Sequence, residues 1–254
     1  PAGHLLRPQD IGGLLALGLT HVSVAVRPRV AIISTGDEVV PPEATPGPGQ
    51  VRDVNTYTVA GLVTEAGGTP LPGGIVPDNY EALLGATRAA LDRADVLVLS
   101  AGSSVSTRDL TAAVVNELGQ PGVLVHGVAL KPGKPTILGV CAGKPVLGLP
   151  GNPVSAMVAA ELFLRPLLAH LQGMTEPPAG RYVAATLARN VSSQAGREDH
   201  VPVKIIEQDG KVWAEPVLGK SNLIYTLVRA NGMIEVPLDA NGLHRGDPVR
   251  VRMF

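Results

Sequence analysis

The sequence predicts a three-layer α/β/α domain followed by a small, mostly-β domain, with the division between residues 173 and 174. Three observations lead there. Short apolar, β-branched runs alternate with helical patterns through the first two thirds of the chain, the pattern of a parallel sheet covered on both faces. After Met174 the alternation stops, and Pro177-Pro178 with Gly180 marks a linker. Short strand patterns then crowd into about eighty residues, within the ordinary size of a domain.

Taken in order, Asp10–Gly18 reads as a short capped helix. Arg29–Ser34 (RVAIIS) is the first buried strand, and residues 35–52 form a loop rich in Pro and Gly. Val54–Glu65 has apolar residues at helical spacing and stops at Gly67-Gly68. Thr69–Val76 is the second strand, Asn79–Arg93 an amphipathic helix and Val96–Leu99 a third, fully apolar strand. Leu110–Leu118 is a helix ended by Gly119. Val123–Val128, Thr136–Val140 and Pro145–Leu149 are further strands, and Pro153–Leu171 is a long helix closed by Gly173. In the second domain, Arg181–Leu187, His200–Ile206, Val212–Val217, Met233–Pro237 and Pro248–Met253 read as strands. Asp209-Gly210 is a hairpin turn and Leu223–Arg229 the helical stretch.

Hydrophobic residues make up 45% of the 254 and aromatics only 3%, so the core is aliphatic. A net charge of −1 speaks against a nucleic-acid or membrane-surface partner. An anion site must then be a local arrangement. The single cysteine, Cys141, excludes an internal disulfide or a thiolate metal cluster and reads as a packing residue among apolar neighbours. With no leader or spanning pattern recognised, the expectation is a cytoplasmic protein. The start at Pro1 reads as the continuation of something longer.

In open sheets of this kind, ligands bind beyond the carboxyl ends of the strands. Several polar loops are expected at that edge. Ser100–Asp109 carries Gly102, Ser103 and Ser104, whose backbone N–H groups approach an anion closely. Lys131-Pro132-Gly133-Lys134-Pro135 adds two mobile cations. Leu149–Ser155 contains Pro150, Gly151, Asn152 and Pro153. Thr35, Gly36, Asp37 and Glu38 follow the first strand, Asp53 and Asn55 precede the first long helix, and Asp78 follows the second strand. Each loop alone reads as an ordinary strand-to-helix turn, with Asp78 and Asp109 as helix caps. Their coincidence on one edge favours a shared site for an anionic ligand. Glu38, Asp78 and Asp109 are the oxygen donors a hard cation such as magnesium takes, and Asp78 and Asp109 are expected to converge on it from neighbouring strands.

On these motifs, residues 10–254 resemble the molybdopterin molybdenumtransferases: bacterial MoeA and the E domains of gephyrin and its plant counterpart. The matching pieces are Ser34–Glu38, Asp53-Val54-Asn55, Gly74–Asp78, Lys131–Pro135 and Leu149–Ser155, in the family's order and spacing. The resemblance implies a molybdopterin-binding α/β domain followed by a C-terminal β-domain. It also implies insertion of molybdate into adenylylated molybdopterin, with release of AMP. Glu38, Asp78 and Asp109 fall on family carboxylates tied to activity or metal, with Asp78 and Asp109 holding magnesium. Lys131 and Lys134 fall on lysines beside phosphate or molybdate. Pro150 and Pro153 shape the loop against the ligand, and Arg197 and Ser221 stand where the β-domain approaches the anion. The substrates are then the pterin and molybdate, and the full-length protein is a homodimer.

Two departures temper the resemblance. Ala101–Ser106 stands where the family writes Gly-Gly-x-Ser-x-Gly, and the two N-terminal domains of the family do not precede the matched region. The second departure predicts ligand binding without turnover by this chain alone. Two other readings stay open: adenylylation of molybdopterin by ATP, and a non-catalytic pterin-binding scaffold.

Overall fold

The computed structural model of the protein describes residues 2–101, 105–175 and 180–254, with the backbone alone for 105–108. The linker prolines Pro177-Pro178 and the loop residues Gly102, Ser103 and Ser104 lie outside the described residues. The chain begins with helix α1 (Pro8–Ala16), which buries none of its side chains. Strand β1 (Arg29–Thr35) follows, then short β2 (Val39–Val40) and β3 (Val51–Arg52), helix α2 (Asn55–Glu65) and β4 (Thr69–Val76). Next come α3 (Tyr80–Leu91), β5 (Val96–Ala101), α4 (Val105–Glu117), β6 (Pro121–His126), β7 (Leu130–Lys131), β8 (Ile137–Cys141) and β9 (Lys144–Pro150). A continuous helix runs as α5 (Pro153–Ala159), a π-turn (Ala160–Leu164) and α6 (Arg165–Leu171). The second region holds β10 (Tyr182–Leu187), β11 (Val191–Ser192), β12 (Glu198–Gln208), β13 (Lys211–Pro216), α7 (Tyr225–Val228), β14 (Gly232–Val236), β15 (Gly242–Leu243) and β16 (Pro248–Met253).

The first sheet has the order β4-β1-β5-β9-β8-β6. Successive residues of its inner strands face opposite layers. Val30, Ile32, Val98 and Leu149 pack with Val59, Leu62 and Val63 of α2 and with Ala156, Leu164 and Leu168 of the long helix. Ala31, Ile33, Leu97 and Leu99 pack on the other face with Leu83 and Leu91 of α3 and Val114 and Val115 of α4. Both faces are dry, and each fully buried Leu or Ile contributes about 1.5–3 kcal/mol. This is the expected three-layer arrangement. By length and composition Pro153–Leu171 would suffice to cross a membrane, but half of it is buried in the protein. Its π-turn precedes Pro166, which has no N–H to close an α-helical bond onto Leu162.

The expected parallel sheet forms the core, and two antiparallel strands extend it. β4, β1, β5 and β9 run parallel, whereas β8 is antiparallel to β9 and to β6. Only Ala142 and Gly143 join β8 to β9, both with positive φ. So short a link makes a hairpin, since a parallel crossover needs a dozen residues or more. The reversal has a consequence for the site. Ile137 pairs with Gly148 and His126 with Ile137, so the start of β8 and the end of β6 lie at the carboxyl edge of β9.

The second sheet runs β13-β10-β16-β14-β12, and a further β12–β13 pairing closes it into a small barrel around Leu187, Val203, Ala214, Ile234 and Val251. The Asp209-Gly210 turn joins Gln208 to Lys211 with φ of 51° and 70°, the I′ geometry. β7 leaves the first sheet and pairs in parallel with β12, Leu130 beside Glu198 and Lys131 beside Asp199. The Lys131–Pro135 loop is thereby sewn to the barrel.

Candidate functional site

The predicted residues divide between two places along one edge. The first is an interdomain cleft of about 1050 Å³. Lys131, Pro132, Gly133, Lys134, Pro150, Gly151 and Asn152 line one side of it, and Arg197 and Ser221 the other. The lysine loop is rigidly made. Gly133 has φ +125°, and a Cβ there would meet Leu130 Cδ2 at 2.9 Å. Its carbonyl accepts from Thr136 N and Thr136 Oγ1 at 3.0 and 2.7 Å. The opposite wall is tied to the start of the long helix. Asn152 Nδ2 donates to Ser221 Oγ at 3.1 Å, and Val154 N donates to Ser221 O at 3.0 Å. Pro153 opens that helix. Ser221 and Arg197, assigned from the second domain, thus stand in the same cleft as the lysines.

The second place is an acidic edge at the ends of β1 and β4. Thr35 Oγ1 donates to Asp78 Oδ1 at 2.7 Å, and Asp78 N donates to Asp37 Oδ1 at 3.2 Å. Gly36 has φ +151°, a backbone conformation that favours glycine, and Glu38 Oε2 folds back to within 2.8 Å of where a Cβ would stand. Asn79 rather than Asp78 caps α3, its Oδ1 accepting from Ala82 N at 3.0 Å. The expected cap role of Asp78 is therefore corrected. Asp109 is corrected as well, because α4 starts at Val105 and makes Asp109 an exposed residue inside the helix. Nor do Asp78 and Asp109 follow neighbouring strands: β1 lies between β4 and β5. At roughly 4.8 Å per strand this separates the two strand ends by about 10 Å. Among the described residues, no group of three or more His, Cys, Asp or Glu side chains gathers as a metal site. A cation here would rest on one or two carboxylates and on substrate oxygens, an arrangement magnesium accepts.

Between the two places sits buried Asn55. Its Nδ2 donates to Ser100 Oγ at 2.8 Å and to Gly151 O at 2.9 Å, while Oδ1 has no partner among the described residues. Asp53 is structural: its Oδ1 accepts from Ser34 Oγ at 3.0 Å and from Thr56 N at 3.1 Å. Cys141 is a packing residue, its Sγ donating to Val115 O at 3.2 Å. Burial pushes its thiol above the ordinary value, so it stays protonated.

Two features of the cleft escaped the sequence reading. Buried Asp199 accepts from Lys131 Nζ and Arg197 Nε. Buried His200 also lines the cleft, with Nε2 2.6 Å from Glu198 Oε1. A partial signal was available, because residues two apart in a strand share a face, as Glu198 and His200 do on β12.

Residues 31–170 match the family described as "Probable molybdopterin binding domain", and residues 184–254 match "MoeA C-terminal region (domain IV)". Molybdopterin molybdenumtransferase 1 of Mycobacterium tuberculosis is 33% identical over 98% of this chain and 60% of its own length. Two MoeA structures from Pyrococcus horikoshii superpose with TM-scores of 0.85 and 0.80, at 37% and 31% identity. Each covers 99% of this chain, and 61% and 60% of the other. The chain thus spans about three fifths of the relatives it matches.

Proposed function

The chain belongs to the MoeA family, and from that premise we propose that it holds molybdate and adenylylated molybdopterin for molybdenum insertion, with release of AMP. In this reading residues 1–173 form the pterin-binding domain and residues 174–254 the second domain. One observation carries it. The cationic cleft takes Lys131 and Lys134 from the first domain and Arg197 and Ser221 from the second. Adenylyl transfer or pterin binding by the α/β domain alone would leave the second wall without a role.

The chemistry suits the two places. Molybdate is a dianion that loses an oxygen as water when the dithiolene sulfurs bond to molybdenum. Lys131, Lys134, Arg197 and Ser221 Oγ would hold the oxyanion and stabilise charge as that oxygen leaves. Pro132, Gly133, Pro150, Gly151, Asn152 and Pro153 shape the loops around it. Asn55, Thr35, Gly36 and Asp37 would orient the pterin, together with Gly102, Ser103 and Ser104. Glu38, Asp78 and Asp109 would move protons, and Asp78 or Asp109, with phosphate oxygens, would bind magnesium, which supplies charge neutralisation. A homodimer in the cytoplasm completes the reading.

Calorimetric titration with molybdate and with adenylylated molybdopterin tests it. Saturable binding of both, and AMP release that requires molybdate in the full-length protein, are expected. Unchanged affinities in the Lys131→Ala variant would take the cleft out of the reaction.

A further inference from the structure

We propose that Asp199 is the positioning residue of the oxyanion clamp: one buried carboxylate that sets a lysine from one domain and an arginine from the other in fixed register. The inference rests on the reading of the cleft given above and adds to it the group that organises its cations.

Asp199 lies on β12 where that strand pairs with β7, directly beside Lys131. Its side chain is 2% exposed. The two oxygens are divided between the two domains: Oδ2 accepts from Lys131 Nζ at 3.0 Å and Oδ1 accepts from Arg197 Nε at 3.1 Å. The partners are open to the cleft, at 51% for Lys131 and 35% for Arg197. The anchor is therefore sealed while the charges it anchors face the ligand space. A buried carboxylate is costly unless its oxygens are fully engaged, and here only these two cations supply formal counter-charge among the described residues. Lysine is a flexible stem with a point charge, and holding its Nζ removes freedom that ligand binding would otherwise have to remove. Arg197 is engaged through Nε, not through the terminal pair of nitrogens that matches an oxyanion bidentately.

Position and bulk charge predict opposite signs. If Asp199 only adds negative charge beside an anion site, Asp199→Asn should tighten oxyanion binding. If it positions the cations, the same change should weaken binding, because Lys131 and Arg197 lose their common anchor.

Inorganic molybdate is titrated into wild type, Asp199→Asn, Asp199→Glu, Lys131→Ala, Arg197→Ala, the Lys131→Ala/Arg197→Ala double variant and the Asp199→Asn/Lys131→Ala/Arg197→Ala triple variant. Fluorescence of Trp213, the sole tryptophan, on barrel strand β13, reports that the barrel is folded. We expect Asp199→Asn to lower affinity about tenfold and Asp199→Glu, which keeps the charge, by less. In the triple variant the Asn change should add nothing beyond the loss of both cations. Equal or tighter binding by Asp199→Asn overturns the proposal. Should that variant lose the Trp213 signal, Asp199→Glu decides, and undiminished binding there overturns it. If Lys131→Ala and Arg197→Ala leave affinity unchanged, the cleft reading itself fails. If they weaken binding while Asp199→Asn does not, only the positioning role fails.

Discussion

The cationic cleft and the acidic edge lie along one rim of the molecule but are built on different principles. The edge belongs to one sheet: Thr35, Asp37 and Asp78 come from the ends of paired strands β1 and β4 and hold one another through a hydroxyl and a backbone N–H. The cleft belongs to two domains, and its charges are held by a buried carboxylate at their junction. Carboxylates on an open edge stay solvated and need little support. Cations that must face an anion in a walled cleft need fixed direction, which the β7–β12 pairing provides. The edge should therefore tolerate local change, whereas the cleft should fail when the junction is disturbed.

The largest effect is expected from Gly133→Ala. The substitution sets a side chain at φ +125° and drives its Cβ against Leu130, a residue of the junction core. Strain and overpacking together should cost about 2–5 kcal/mol in a urea titration. Molybdate binding should disappear, while pterin binding weakens but persists through its contacts at the edge, if the edge is built as independently as its construction implies. Simultaneous loss of both would break the comparison.

Lys131→Ala comes next. Loss of one charge-assisted contact should weaken molybdate and adenylylated pterin binding by about 1.5–3 kcal/mol. Lys211→Ala is the control, because Lys211 is exposed beside the β12–β13 hairpin turn. Equal calorimetric affinities for the two variants would show that the cleft lysine is only a surface charge.

These variants also mark where the sequence was informative. Edge residues were legible because each follows a strand in one continuous α/β pattern, and β4 was bounded correctly at Thr69–Val76. Order along the sheet was not legible. Nothing local tells that β1 inserts between β4 and β5, and so the sequence pattern alone brings Asp78 and Asp109 together across a strand that separates them. The hairpin between β8 and β9 was accessible: Thr136–Val140 and Pro145–Leu149 stand too close for a crossover. Asp199 was hidden because its importance lies in pairing with a strand sixty-eight residues away. Strand period could not have joined it to Arg197, which precedes β12, or to Lys131.

Asp78→Asn is expected to act on the edge only. Asparagine can still accept from Thr35 Oγ1, so the fold should survive, while the charge that would serve a cation is gone. If magnesium strengthens pterin binding in the wild type, the variant should lose about 1–2 kcal/mol of that enhancement and keep its molybdate affinity. Asp109→Asn makes the companion test. Undiminished magnesium dependence in both variants would leave the edge without a metal role.

The smallest effect should come from the opposite end of the same sheet, where Arg29 at the start of β1 meets Asp95 before β5. This ion pair has the same type of contact as Lys131 with Asp199, at 3.1 Å, but Arg29 is exposed and the Asp95 side chain is 42% exposed. The hydrogen bond from Arg29 holds the Asp95 carboxyl below its ordinary value. A carboxyl whose folded value is depressed stabilises the fold above its unfolded value of about 3.9, and that stability is lost as pH falls through the lower folded value. Near neutral pH, Asp95→Asn should leave the urea midpoint almost unmoved, because solvent screens an exposed pair. Below pH 4 the variant should lose stability less steeply than wild type. A large destabilisation at pH 7 would mean that exposed ion pairs support this sheet as strongly as the buried one supports the junction, and the contrast between the two kinds of contact would fall.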